Sequence, residues 1–292
     1  MQTRKEAERR GTVSKLWKTL AYMTKPRASR AGLAIIGAIV VMIVAGPYIV
    51  RYSPYAISSA VNAPPSLAHP FGTDYRGADV FSQVVYGAYD SLFVAVIASL
   101  GSVLLGSVVG MFAGYFRSLE GALSGVGDVI MALPTLPFLV LLGLLFLATD
   151  FFLASLLILV LWPPVSRSIR AEVASIKKLP YVDAAKVSGY SDLRIIFRVI
   201  FPQIGPISMA YFVLNTSIAV ILVTALEFLG VGNVTVVTWG SILFWAQQYA
   251  FFAGDWWWIL APGLIISLFA TGLALVGYAV EEVTNPRLRA GG

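Results

Sequence analysis

Few residues in this chain are of types that could make or break covalent bonds. Tyr89-Asp90 and Gly125-Val126-Gly127-Asp128 each present a carboxylate, and two carboxyls that share one proton can activate water for hydrolysis if they approach within a few Å. There is one histidine, His69, and no H-E-x-x-H run, so a His-rich metal centre cannot be assembled. His69 reads as a hydrogen-bonding residue of a loop. With 0 cysteines, thiolate chemistry and disulfides are excluded and the redox compartment is not legible. No G-x-x-x-x-G-K-[ST] loop occurs, so the chain does not cradle nucleotide phosphates in the P-loop manner.

The elements that must position these residues are membrane spans. Of the 292 residues, 58% are hydrophobic and 12% charged, with mean hydropathy +0.80, far from the ~25% charge of a soluble domain. An all-α membrane protein with six transmembrane helices is expected. A cytoplasmic arm covers 1–30, the first span 31–50, an extracytoplasmic loop 51–90, and a five-helix core 91–280 with a cytoplasmic loop at 166–203. A cytoplasmic tail closes the chain at 281–292. Within the core, spans are read at 91–116, on the two sides of Asp150 within 129–165, at 204–226 and at 258–280. A polar turn lies at 117–128 and an exterior loop at 227–257. Pro134, Pro137 and the Pro163-Pro164 pair are expected to kink or end helices. Ser102, Gly106, Gly110 and Gly114 recur every four residues, a small-residue stripe for helix packing.

Charge placement orients the spans. The net charge of +6 is not a nucleic-acid footprint, because the basic residues flank spans. Arg4, Lys5, Arg9, Arg10, Lys15, Lys18, Lys25, Arg27 and Arg30 fill the arm, first of all as a topology signal. With both termini cytoplasmic, only Arg51 and Arg76 among the 21 Lys and Arg fall outside. Asp90 then sits at the outer end of one span and Asp128 at the inner end of the next, about 30 Å apart. The Gly-x-Gly-Asp of intramembrane aspartyl proteases is therefore matched in letters and not in geometry, and no catalytic residue is assigned. No charged residue lies deep in a span, as an ion-coupled carrier would require. Asp74, Asp79, Asp90, Glu227 and Asp255 give the exterior an acidic cast, and Trp256, Trp257 and Trp258 are read as an interfacial belt.

The long polar stretch at 181–203 is the remaining place for function. Its first half is helix-forming up to Ser188, and Gly189 supplies a residue that tolerates φ > 0. Ser191 and Asp192 can cap a second helix. In that helix Leu193, Ile196, Phe197, Ile200 and Phe201 share one face and Arg194 and Arg198 the other, with Pro202 at its end. This hook faces the cytoplasm.

The same hook resembles the EAA loop of ABC importer permeases. Asp183, Ala184, Ala185, Gly189, Val199, Phe201 and Pro202 keep the spacing of that signature, with Asp, Val and Phe standing for its Glu, Ile and Leu. The resemblance implies that these residues form a coupling helix which docks on an ATPase subunit. The runs PRASRAGLAIIG, HPFGTDYRGADVFSQVVYGAYDSL, EFLGVG, TWGSIL, GDWWWILAPGL and NPRLR are similar to the C-type permease of dipeptide and oligopeptide importers; Ala78 stands where that family usually has Arg. The resemblance implies a type I importer fold in the cell membrane, a second homologous permease, two ATPase subunits carrying the ATP and magnesium, and an extracytoplasmic substrate-binding protein. This chain would need no cofactor or metal of its own. Peptides lead as solute, oligosaccharides or nickel complexes are alternatives, and from another class a channel or structural membrane protein without an ATPase. Substrate-binding residues are not legible in the sequence.

Overall fold

The computed structural model describes residues 27–146 and 149–284. Most of the basic arm and the last residues of the tail lie outside the described residues. The regular elements among those described are helices, with one isolated β-bridge between Thr73 and Asp79. They are α1 (Arg27–Ile49), α2 (Val80–Tyr115), α3 (Arg117–Ala132), α4 (Thr135–Leu145), α5 (Asp150–Ile176), α6 (Pro180–Val187), α7 (Asp192–Ile195), α8 (Phe201–Phe228), α9 (Trp239–Ala253) and α10 (Trp256–Thr284). A π turn, Ile196–Ile200, joins α7 to α8. Among the described residues five segments are long and apolar enough to cross a membrane: Ala28–Ile49, Val80–Tyr115, Asp150–Ile176, Asp192–Phe228 and Trp256–Val280. The α3–α4 pair, bent by 88°, makes a sixth if taken as one.

Four boundaries differ from the sequence reading, each for a local reason. Helix α2 starts at Val80 rather than 91, because the Asp79 carboxylate accepts from Ser82 N–H at 2.8 Å and caps it. Its 36 residues span ~54 Å, more than the ~30 Å hydrocarbon. The turn read at 117–128 is instead helix α3. It ends at Leu133, which the adjoining Pro134 holds in the extended region (φ −79°, ψ 139°). Helix α5 runs through Pro163 and Pro164 to Ile176, held by Val165, Ile169 and Val173, all at 0% exposure against its neighbours. The stretch 227–257, read as an exterior loop, contains α9, closed by a Thr238/Ser241 capping box at its start and by Gly254 in the left-handed region (φ 78°) at its end.

The small-residue stripe of α2 lies against α5. A Cβ added to Gly106 would meet Trp162 O at 2.7 Å, one on Gly110 would meet Ser166 O at 2.7 Å, and one on Gly114 would meet Arg170 O at 2.8 Å. Three contacts at one-turn steps on both helices set their separation. Ser102, fully buried, continues the line by accepting from Asn215 Nδ2 of α8 at 2.9 Å.

Among the described residues two large apolar cores result, with a small third of Ala210, Val276 and Val280. The outer one gathers Val80, Val84, Leu139, Leu157, Val223, Trp239 and Trp258. The inner one gathers Met111, Tyr115, Val165, Ile169, Val173, Val182, Ile195, Ile196, Ile200 and Ile204.

The segments expected to lie outside are less acidic at their surface than their composition implies. Asp74, Asp79, Glu227 and Asp255 are all buried and mostly engaged inside the chain. Asp74 accepts from Ala78 N–H at 2.9 Å and Gln83 Nε2 at 2.8 Å, and Asp79 reaches His69 Nδ1 at 2.9 Å. Glu227 accepts from Thr238 Oγ1 at 2.8 Å. Burial pushes the Asp255 carboxyl above its ordinary range. The three tryptophans do not form one belt. Trp258 is buried and stacks on Tyr75 at 5.7 Å, Trp257 packs over Gly72, and Trp256 alone is exposed.

Candidate coupling site

The polar hook is fixed to the inner core at a few points and otherwise stands free. Helix α6 opens with Pro180 in its first turn, where the missing N–H removes no helical hydrogen bond. Val182, at 0% exposure, is the one residue of α6 that is fully buried, and Ala185 packs beside it. Asp183 falls in the first turn and Lys186 in the last, matching the helix dipole. Their ion pair, 3.0 Å long with both side chains exposed, contributes only ~0.3–0.5 kcal/mol. The Asp183 carboxylate is thus free to meet another polypeptide at little cost to the fold.

The turn after α6 is built on Gly189. Its φ is +78°, its N–H donates to Lys186 O at 2.9 Å, and Tyr190 N–H donates to Ala185 O at 3.1 Å. These bonds satisfy the last carbonyls of α6 and turn the chain back. The return leg is anchored where Tyr115 Oη donates to Asp192 Oδ1 at 2.6 Å. Lys177 Nζ donates to the Tyr115 carbonyl and sits 5.0 Å from its ring centre. Both roots of the hook therefore close on the C-terminal end of α2. Ser191 occupies the N-cap position of α7 without a side-chain bond to the helix.

The residues singled out at 183–202 do not share one face. Asp183, Ala184, Phe201 and Pro202 are exposed, whereas Ala185 and Val199 lean on the inner core. Pro202 does not end the amphipathic helix, because it stands in the first turn of α8, which continues the same helical rod. The π turn, in which Phe201 N–H bonds to Ile196 O, adds a residue and rotates the helix beyond it. As a result Ile196 and Ile200 of the expected apolar face are buried, and Leu193, Phe197 and Phe201 face outward. The sequence reading missed the exposed apolar group on the hook itself. Val187 is 90% exposed, and Tyr181 and Tyr190 of the same hook are exposed too, the Tyr190 ring carrying the Arg194 guanidinium at 5.2 Å. Apolar residues on a charged, solvent-facing helix were the available signal.

The carboxylates of the two candidate hydrolytic motifs are kept apart. Asp128 pairs with Arg167 at 2.7 Å across α3 and α5, beside the Arg170–Glu120 pair. Asp90 lines a different cavity with Tyr55 and Tyr89. No proton-sharing pair exists between them.

Residues 102–290 match the binding-protein-dependent transport system inner membrane component family, which takes in the α2 stripe, α5 and the whole hook. The chain belongs to that family. This inner membrane component is 33% identical over 279 residues to a putative peptide transport system permease protein of Brucella suis, covering 94% of this chain and 93% of that one. It is 31% identical over 270 residues to the dipeptide transport system permease protein DppC of Bacillus subtilis, covering 91% of this chain and 84% of that one. It is 30% identical over 273 residues to the protein of the same name from Alkalihalophilus pseudofirmus, covering 91% of this chain and 88% of that one. Membership makes this a multi-pass transport subunit of a membrane.

The anchoring of the hook in this inner membrane component makes a prediction. Val182→Asp buries a charge with no partner in the inner core and is expected to cost ~3 kcal/mol locally. Hydrogen exchange should show residues 180–190 losing protection while α2 and α5 keep theirs. Unchanged protection in the hook would contradict the anchoring role.

Proposed function

We propose that this chain is the membrane-spanning permease subunit of an ATP-driven importer for peptides or solutes of similar size. It works beside a second homologous permease, two ATPase subunits that hold ATP and magnesium, and an extracytoplasmic substrate-binding protein, with both of its own termini cytoplasmic. The observation that carries this reading is the hook: a short helix exposed on most of its surface, tied to the core through Val182, and closed by Gly189. A helix so held moves as a unit and passes displacement to α5 and α8, which share the inner core with it. The peptide part of the reading is supported by the names of the relatives above.

In this mechanism, closure of the ATPases on ATP pushes the surface formed by Asp183, Val187 and Tyr190. The inner core transmits that push to the cytoplasmic halves of α2, α5 and α8, and access alternates between the two sides. The chain supplies no catalytic group. Solute selection begins at the binding protein, and residues 51–79 with α9 form the outer surface available to it.

Affinity purification through this chain from native membranes tests the assembly. A second permease and an ATPase are expected in stoichiometric amounts, and recovery of this chain without any ATPase would overturn the reading.

A further inference from the structure

A cavity of about 390 Å³ opens at the outer end of α2, lined by Tyr55, Tyr86, Tyr89 and Asp90 together with Pro47, Pro54 and Val237. Its size lies within the range of small-ligand pockets. Two of the rings are held by their hydroxyls. Tyr89 Oη donates to Ile43 O at 3.2 Å, and Tyr55 Oη accepts from Val237 N–H at 3.2 Å. Both hydroxyls are thereby engaged with backbone.

The Asp90 carboxylate is half-buried and has no hydrogen-bond or ion-pair partner among the described residues. The two basic residues of the loop that precedes α2 do not supply one. Arg76 reaches Asp74 at 3.5 Å, and Arg51 is exposed. Negative charge is reinforced rather than balanced nearby, because Phe93 meets Phe151 edge-to-face at 5.7 Å and brings the first turn of α5, with Asp150, to the same side. An unpaired carboxylate beside several aromatic rings is the composition that recognises an organic cation, which gains from both the charge and the ring faces.

We propose that this cavity binds an ammonium group, seated among Tyr55, Tyr86 and Tyr89 and facing the Asp90 carboxylate. Two sources carry that chemistry at this level of the membrane: the free amino terminus of a peptide and the headgroup of an ethanolamine lipid. The inference rests on the importer reading only for which side the cavity faces. It is tested without ATP, so its failure leaves the coupling account untouched.

The test uses the purified permease assembly in nanodiscs of phosphatidylglycerol alone, titrated with tetramethylammonium, trialanine and N-acetyltrialanine. Tetramethylammonium and trialanine are expected to bind, and acetylation to weaken binding by about tenfold. Asp90→Asn and Tyr86→Leu should each weaken it about tenfold, and Tyr86→Phe should preserve it. If the Asn variant does not assemble, the Leu and Phe variants at position 86 carry the test. In a second arm, the assembly is taken from membranes containing phosphatidylethanolamine and weighed by native mass spectrometry. Retention of that lipid by the wild type and its loss in Asp90→Asn, with trialanine not binding, upholds the site and assigns the ammonium to the lipid. Amine binding or lipid retention that depends on neither Asp90 nor Tyr86 overturns the proposal.

Discussion

A chain carrying Gly189→Pro together with Asp183→Arg is expected to insert and pair normally and to lose uptake by roughly a hundredfold while ATP hydrolysis continues. Proline fixes φ near −65°, against +78° for Gly189, and it deletes the N–H that donates to Lys186 O at 2.9 Å. The turn cannot form, so the return leg leaves α6 in another direction. Space is not the cause, since nothing lies within 4 Å of a Cβ placed on Gly189. Gly189→Ala is accordingly the mild control, with only the left-handed conformation to oppose it, ~1–2 kcal/mol. Asp183→Arg replaces the 3.0 Å pair with Lys186 by two like charges one helical turn apart on an exposed surface, which changes what a partner meets and little else. Uptake and ATPase rates in proteoliposomes measure the outcome. Normal uptake by the well-expressed double variant would contradict the lever role of the hook.

The largest effect on the fold itself is expected from Gly110→Leu. The first carbon of any side chain there meets Ser166 O at 2.7 Å and Ile169 Cβ at 2.8 Å, and both belong to helix α5. Backbone and a fully buried β-branched residue cannot yield as a flexible side-chain tip does, so the helices must separate. The cost is ~3 kcal/mol or more, and the neighbouring contacts at Gly106 and Gly114 would be pulled open with it. Thermal unfolding in detergent should show a clear loss, on the order of 5 °C or more. Gly125→Leu provides the comparison, because no atom lies within 4 Å of a Cβ at that glycine of α3. Equal stability of the two variants would show that the stripe does not set the α2–α5 distance.

Much of this architecture was written in patterns with a single physical reading. Apolar stretches near 20 residues can hardly be anything but spans. The four-residue recurrence from Ser102 to Gly114 exposed a close-packed face before its partner helix was known. What stayed hidden depended on contacts distant in sequence. The start of α2 rests on the Asp79 cap, and α9 rests on a capping box whose threonine also binds Glu227. Acidic residues counted as surface charge proved to be buried, because the groups that satisfy Asp74 and Asp79 come from the folded loop and from the start of α2. The amphipathic face of the hook was assigned at 3.6 residues per turn, and the π turn at Ile196–Ile200 shifted it. The residues from Asp183 to Pro202 were singled out by their resemblance to the EAA loop. Which of them look outward required the inner core.

The chain contains 0 cysteines, so a single Val187→Cys places one thiol on the most exposed apolar residue of the hook. Cross-linking from that thiol in the assembled transporter should capture an ATPase subunit, in a yield that changes when ATP is added, and membrane-impermeant reagents should reach it only from the cytoplasmic side. Labelling from outside, or capture of no other polypeptide, would contradict the account.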